Sequence, residues 1–217
     1  MIRLVSLTHC TILLTVFGVT QPAIAQKPAT TIFESEAKKD ADYAIQGEYT
    51  GKIDKGDSSG QLGVQIVAQG GGKFLAVGYS GGLPGAGFDG KEKSPATGVR
   101  KGDVVEFVAA ADSPTSGSGT WKNGKLHIRD GDGNSIGVLQ RVVRTSPTMG
   151  AKSPRGAVVL FDGTTAKHFR GGRLEGKVLR EGVTSFRNFG DYHLHMEFKL
   201  NYAPTARGQG RSNSGVY

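Results

Sequence analysis

Hydrophobic positions recur at every second residue over much of the chain. Leu62, Val64 and Ile66 alternate with Gly63, Gln65 and Val67, and Lys73 to Tyr79 and Asp103 to Ala109 read as further strands. Trp121-Lys122-Asn123-Gly124-Lys125-Leu126-His127-Ile128 predicts a tight hairpin, because Asn-Gly supplies two residues that tolerate the positive φ of a type I′ turn. A second turn is expected at Asp130-Gly131-Asp132-Gly133-Asn134, with Ser135 to Val143 returning as a strand. Together these segments predict an antiparallel β module over residues 41–145, a meander closing as a small barrel or a sandwich. The polar stretch 26–40 ahead of it predicts a flexible leader or one short helix at Phe33 to Lys39.

Residues 146–156 are rich in Pro, Ser and Gly and predict a linker. Beyond it, Ala157-Val158-Val159-Leu160-Phe161 has the pattern of a buried strand closed by the Asp162-Gly163 turn, and Arg173 to Leu179 and Val183 to Phe186 supply further strands. From Tyr192 to Leu200 the alternation is complete. Tyr192, Leu194, Met196, Phe198 and Leu200 fall on one face of the predicted strand, with His193, His195, Glu197 and Lys199 on the other. An Arg-, Gly- and Ser-rich loop follows, and Ser214-Gly215-Val216-Tyr217 reads as the opening of another strand. A strand that starts without a partner leaves unpaired backbone groups at an open edge, so residues 157–217 are expected to be the front part of a longer domain.

Composition narrows the function classes. The 34 glycines suit many short strands joined by tight turns, and 37% hydrophobic with 8% aromatic residues suffices for a packed core. Residues 1–25 read as a signal peptide: Arg3 supplies the positive start, Leu4 to Val19 the apolar region, and Ala23-Ile24-Ala25 the small-residue cleavage pattern. Cys10 precedes most of the apolar region, which speaks against a lipoprotein box. Cleavage would remove this single cysteine, leaving no disulfide, thiolate nucleophile or thiolate metal ligand. A secreted or periplasmic protein with no membrane anchor after cleavage is the expectation. The net charge of +8 favours polyanions in general, but Lys and Arg are dispersed and no aromatic platform accompanies them, so nucleic acid is not the expected partner.

Two local motifs carry tempting chemistry. The stretch Gly81-Gly82-Leu83-Pro84-Gly85-Ala86-Gly87-Phe88-Asp89-Gly90 lacks the Lys-Ser/Thr and helix entry of a phosphate loop, and is expected to be a long connection between strands. The Asp130 turn lacks the twelfth-position Glu of an EF-hand, and a plain hairpin turn is expected there.

Three segments in order, Val158-Val159-Leu160-Phe161-Asp162-Gly163-Thr164-Thr165, Phe189-Gly190-Asp191-Tyr192-His193-Leu194-His195-Met196-Glu197-Phe198, and Arg207-Gly208-Gln209-Gly210-Arg211-Ser212-Asn213-Ser214-Gly215-Val216-Tyr217, resemble the opening of the 3-keto-disaccharide hydrolase family. His168-Phe169-Arg170 departs from the tryptophan-containing segment of many relatives. The resemblance implies a concanavalin A-like jelly-roll sandwich in the second region, hence an all-β protein with an N-terminal antiparallel β module and a carbohydrate substrate. Gly-Gly-Leu-Pro-Gly segments occur ahead of the domain in some relatives, which marks residues 41–145 as an accessory module.

The implied reaction is β-elimination followed by hydration. A ketone at C3 of a sugar acidifies the C2 hydrogen; a base removes it, the glycosidic oxygen leaves C1, and water then adds. Such a site needs a base, an enolate stabiliser, which is a cation or a bound divalent metal, and an acid. Glu197 and His195 are the candidate catalytic residues, two apart on one strand face. Arg211, Asn213, Ser214 and, more weakly, Arg207 are candidates for holding the sugar hydroxyls or the enolate oxygen. For every one of these, an exposed strand face or a simple turn is the competing assignment. The competing functions are a non-catalytic carbohydrate-binding or laminin-G-like adhesion module and a surface protein that holds anionic polymers.

Overall fold

The computed structural model describes residues 30–56, 59–212 and 215–216. The signal peptide, Cys10, Asn213 and Ser214 lie outside the described residues. The protein is all-β with almost no helix: α1 is the single turn Glu34–Ala37 within the expected 33–39 segment, and eight antiparallel strands form a closed barrel. These are β1 (Gly47–Ile53), β2 (Gly60–Gly70), β3 (Lys73–Ser80), β4 (Lys93–Lys101), β5 (Val104–Ala109), β6 (Ser118–Lys122), β7 (Lys125–Arg129) and β8 (Ser135–Val142). Each strand pairs with the next, and β8 returns to β1 with Tyr49 opposite Arg141 and Ile53 opposite Gly137.

The alternation along the strands sets which side chains fill the barrel. Val64, Ile66 and Ala68 of β2, Phe74 and Ala76 of β3, Val105 and Phe107 of β5, Leu126 of β7 and Leu139 of β8 are all buried in one cluster with Tyr49. A barrel of eight strands is just wide enough for such side chains to occupy its interior. Phe107 fits because its neighbour across the ladder is Gly98, where a Cβ would sit 2.4 Å from the ring. Asn123 and Gly124 take φ of 51° and 77° between β6 and β7, as a type I′ turn requires.

One end of the barrel is plugged by the chain that leads into it. Asp42, 1% exposed, accepts hydrogen bonds from Arg100 Nε at 2.9 Å and from the Gly72 amide at 2.8 Å. The Tyr49 hydroxyl donates to the Ile45 carbonyl at 2.7 Å and accepts from Trp121 Nε1 at 2.9 Å. Arg141, inward at the end of β8, donates to the carbonyls of Ala44 and Gln46. The plug therefore satisfies its polar groups on inward side chains from several strands.

The glycine-rich stretch after β3 folds back on the outside of the barrel as a compact loop. Leu83 is buried against Gly63, Phe88 packs edge-on against Tyr79 at 5.0 Å, and Arg144 donates to the Pro84 carbonyl while pairing with Glu48. The Asp130 turn is closed by its own carboxylate, which accepts from the amides of Asp132 and Asn134.

After β8 the chain forms little regular structure. A hairpin pairs β10 (Leu174–Glu175) with β11 (Val178–Leu179), and β9 (Phe169–Arg170) pairs with β12 (Thr184–Ser185). The strands expected at Ala157 to Phe161 and Tyr192 to Leu200 are absent. Every residue from 191 to 200 is exposed, Tyr192 and Phe198 at 63% and 60%. A period-2 pattern becomes a strand only when a neighbour supplies backbone partners and a surface to cover, and among the described residues this segment pairs with no other strand.

Breaking the plug tests its weight. Arg100→Ala leaves the Asp42 carboxylate buried without its cation and is expected to cost about 3 kcal/mol, seen as a lower urea midpoint with an unchanged slope. Gly98→Ala is expected to cost about 1 to 3 kcal/mol through overpacking, and pairing it with Phe107→Leu should destabilise by less than the sum of the two single changes.

Candidate functional site

The sequence candidates separate into two places. His195 and Glu197 stay together, with His195 Nε2 3.3 Å from Glu197 Oε1. Glu197 Oε1 also accepts a hydrogen bond from the backbone N–H of Gly150. The Gly150 amide and then His195 hold the Glu197 carboxyl below the usual carboxylate range. Both side chains are well exposed, at 53% and 38%. The pair is accessible to a large substrate, but nothing encloses it. His193, on the same predicted face, is exposed as well.

Arg207 and Arg211 belong to the second place, where the chain returns to the plugged end of the barrel. Residues Thr31 and Tyr202 exchange backbone hydrogen bonds, the Tyr202 hydroxyl donates to Asp40 at 2.9 Å, and its ring meets Tyr43 edge-on at 5.1 Å. Burial, then the adjoining Asp40 carboxylate, pushes the Tyr202 phenol well above its ordinary range. Arg207 reaches the Gln69 carbonyl on the barrel at 2.8 Å and the Pro204 carbonyl at 2.7 Å. These contacts frame a cleft of about 530 Å³ between the tail and β1–β2, lined by Tyr43, Gln46, Lys199, Asn201, Tyr202 and Arg211 among others. Neither His195 nor Glu197 lines it.

Sequence reasoning pointed to Arg211 but not to Gln46, Tyr43, Lys199 or Asn201. These residues come from opposite ends of the chain and carry no common local motif, so only the fold joins them. Among the described residues, no group of three or more His, Cys, Asp or Glu is placed to hold a metal ion, so no step is assigned to a divalent metal. No helix of the described residues is long and apolar enough to cross a membrane.

No family model, curated protein or solved structure matches the chain.

The lowered pKa of Glu197 has a direct spectroscopic consequence. Its carboxyl should titrate below the ordinary glutamate range in a carbon-detected NMR titration, and the Gly150 amide should shift with the same midpoint. In Glu197→Gln the Gly150 response should vanish. Because the folded-state value is lowered, the stabilisation is present at neutral pH and is lost as the pH falls through that value, below the ordinary range.

Proposed function

We propose that this is a secreted carbohydrate-active protein, acting on 3-keto-glycosides by C2 proton abstraction, β-elimination and hydration. The observation that carries this reading is the His195–Glu197 pair, in contact and open to solvent, at the centre of the segments that resemble the 3-keto-disaccharide hydrolases. The jelly-roll architecture for residues 157 onward belongs to the same proposal, and the antiparallel pairs β10–β11 and β9–β12 are compatible with it.

The roles follow from the electrostatics. Glu197 is held as a carboxylate by Gly150, which suits it to fix the His195 tautomer and stabilise an imidazolium rather than to take a proton itself. With Nε2–H directed at Glu197, His195 Nδ1 is the base for the C2 hydrogen. The electron pair of that C–H bond forms the C1–C2 double bond as the C1–O bond breaks. The proton held by His195 passes to the departing oxygen, and water then adds to the unsaturated sugar. The C3 ketone supplies the acidity, so no reaction is expected with unoxidised glycosides.

A second reading, a non-catalytic carbohydrate-binding or laminin-G-like module, is favoured by one observation: the pair lies outside the cleft between tail and barrel. Turnover separates the two. The protein isolated from its source should release free sugar from a 3-keto-glucoside and none from the parent glucoside. His195→Gln and Glu197→Gln should each lower kcat by about 100-fold, with KM within twofold and thermal midpoint unchanged. Binding without turnover would establish the second reading, and equal turnover by the variants would remove both residues from the chemistry.

A further inference from the structure

The cleft at the plugged end of the barrel carries an unbalanced charge. Arg211 Nη1 and Arg207 Nη1 reach the same acceptor, the Pro204 carbonyl, at 3.4 and 2.7 Å. The other acceptors of Arg207 are the carbonyls of Ala206 and Gln69, and that of Arg211 is Gln46 Oε1 at 3.4 Å. Among the described residues, no carboxylate lies within 4 Å of either guanidinium. Two adjacent guanidiniums sharing one neutral oxygen repel each other, and both contacts of Arg211 are at the long limit of hydrogen bonding. Burial and the neighbouring Arg207 lower the proton affinity of Arg211, as expected for a cation short of a counter-charge.

The acidic groups of the cleft do not supply that charge. Glu48 is engaged by both Arg144 and Gln65, and Glu34 is paired with Lys38 at 2.8 Å. Lys199, also on the lining, forms no ion pair within 4 Å among the described residues, although its charge adds to that of Lys38 in holding the Glu34 carboxyl below its ordinary value. The rest of the lining combines the amides of Gln46 and Asn201 and the ring of Tyr43, which match sugar hydroxyls and faces, with apolar side chains such as Ile32, Phe33, Val67 and Leu200. A volume near 530 Å³ lies in the range of small-ligand sites.

We infer that this cleft is a binding site for an acidic oligosaccharide, whose carboxylate is received by Arg211, with Arg207 and Lys199 adding positive charge and Gln46, Asn201 and Tyr43 meeting the sugar ring. A planar carboxylate matches the fork of a guanidinium, which makes a uronic acid the sugar unit that fits. This inference rests on the carbohydrate reading of the protein. It concerns a site apart from the His195–Glu197 pair and extends that reading to a class of sugar.

Calorimetric titration of the full chain with digalacturonate and with neutral galactobiose tests it. Digalacturonate should bind at least tenfold more tightly, and raising NaCl from 50 to 500 mM should weaken it. Arg211→Gln should lose tenfold or more, Lys199→Gln about threefold, and the distant surface change Lys101→Gln nothing. Far-UV circular dichroism checks that each variant is folded, and Lys199→Gln keeps the test open if Arg211→Gln is not. Equal affinity for the two sugars, undiminished binding by folded Arg211→Gln, or binding of inorganic sulfate without either sugar would each overturn the inference. Turnover of 3-keto-glucoside without digalacturonate binding would remove this site while leaving the catalytic proposal in place. Digalacturonate binding without turnover would do the reverse.

Discussion

Closure of the sheet between β1 and β8 is the constraint on which the other features depend. Once Tyr49 stands opposite Arg141, both side chains are committed to the same end of the barrel, where they meet the carbonyls of residues 44–46. The chain leading into β1 then has no route except across that end. Its crossing carries Asp42 into the interior, a position tolerable only because Arg100 and the Gly72 amide are already held there by β4 and the β2–β3 hairpin. Burying the carboxylate is weak evidence for net stability, since desolvation opposes the attraction. Its physical effect is to make the plug specific: a leader without an acid at position 42 would leave Arg100 and Gly72 unpaired.

The plug in turn makes the surface that receives the tail. Asp40 accepts from Tyr202, Tyr43 packs against the same ring, and Gln46 accepts from both the Ala68 amide and Arg211. The cleft is thus the seam between the entering and returning chain, with the outer rim of β1–β2 as its floor. Its mixed lining follows from that origin, because a seam between irregular segments must satisfy backbone and side-chain polar groups locally beside apolar side chains such as Phe33 and Leu200.

The parts of the barrel legible in the sequence are those whose inward positions carry large side chains, such as Val64, Ile66 and Phe74. β1 and β4 escaped detection for a packing reason. Their inward positions include Gly51, where a Cβ would meet the Val138 carbonyl at 2.7 Å, and Gly98, which yields its space to Phe107. A glycine there belongs to the core through its neighbour's volume, which no single-strand pattern records. Pro95 further disguised β4, yet pairing with β5 begins only at Ala96, so the missing N–H lies where β4 has a neighbour on one side. Residues 192–200 are the converse, a clear alternation without a strand. Of the candidate sites, the spacing of His195 and Glu197 was readable because two residues on one face remain neighbours in any extended backbone. The cleft was not, since it joins residues about 170 positions apart through the Thr31–Tyr202 bridge.

The two sites ask different things of the same segment. Lys199 lines the cleft while Glu197, two residues earlier, points its carboxylate at Gly150. The segment 195–201 therefore runs from the exposed pair into the seam, and Asn201 fixes its far end by accepting from the Ser212 hydroxyl at 2.7 Å. A sugar chain held by Arg211 and Lys199 would be anchored a few residues from His195 along one continuous stretch of backbone. Anchoring through a charged group remote from the reacting carbon is a way to convert binding into orientation, since the reacting unit then loses translational freedom before the chemistry begins. Under the proposed function it would also let an open, unenclosed pair be selective. Selection would then come from a neighbouring site that holds the rest of the substrate, and the cleft that carries Lys199 and Arg211 is the next surface along the chain.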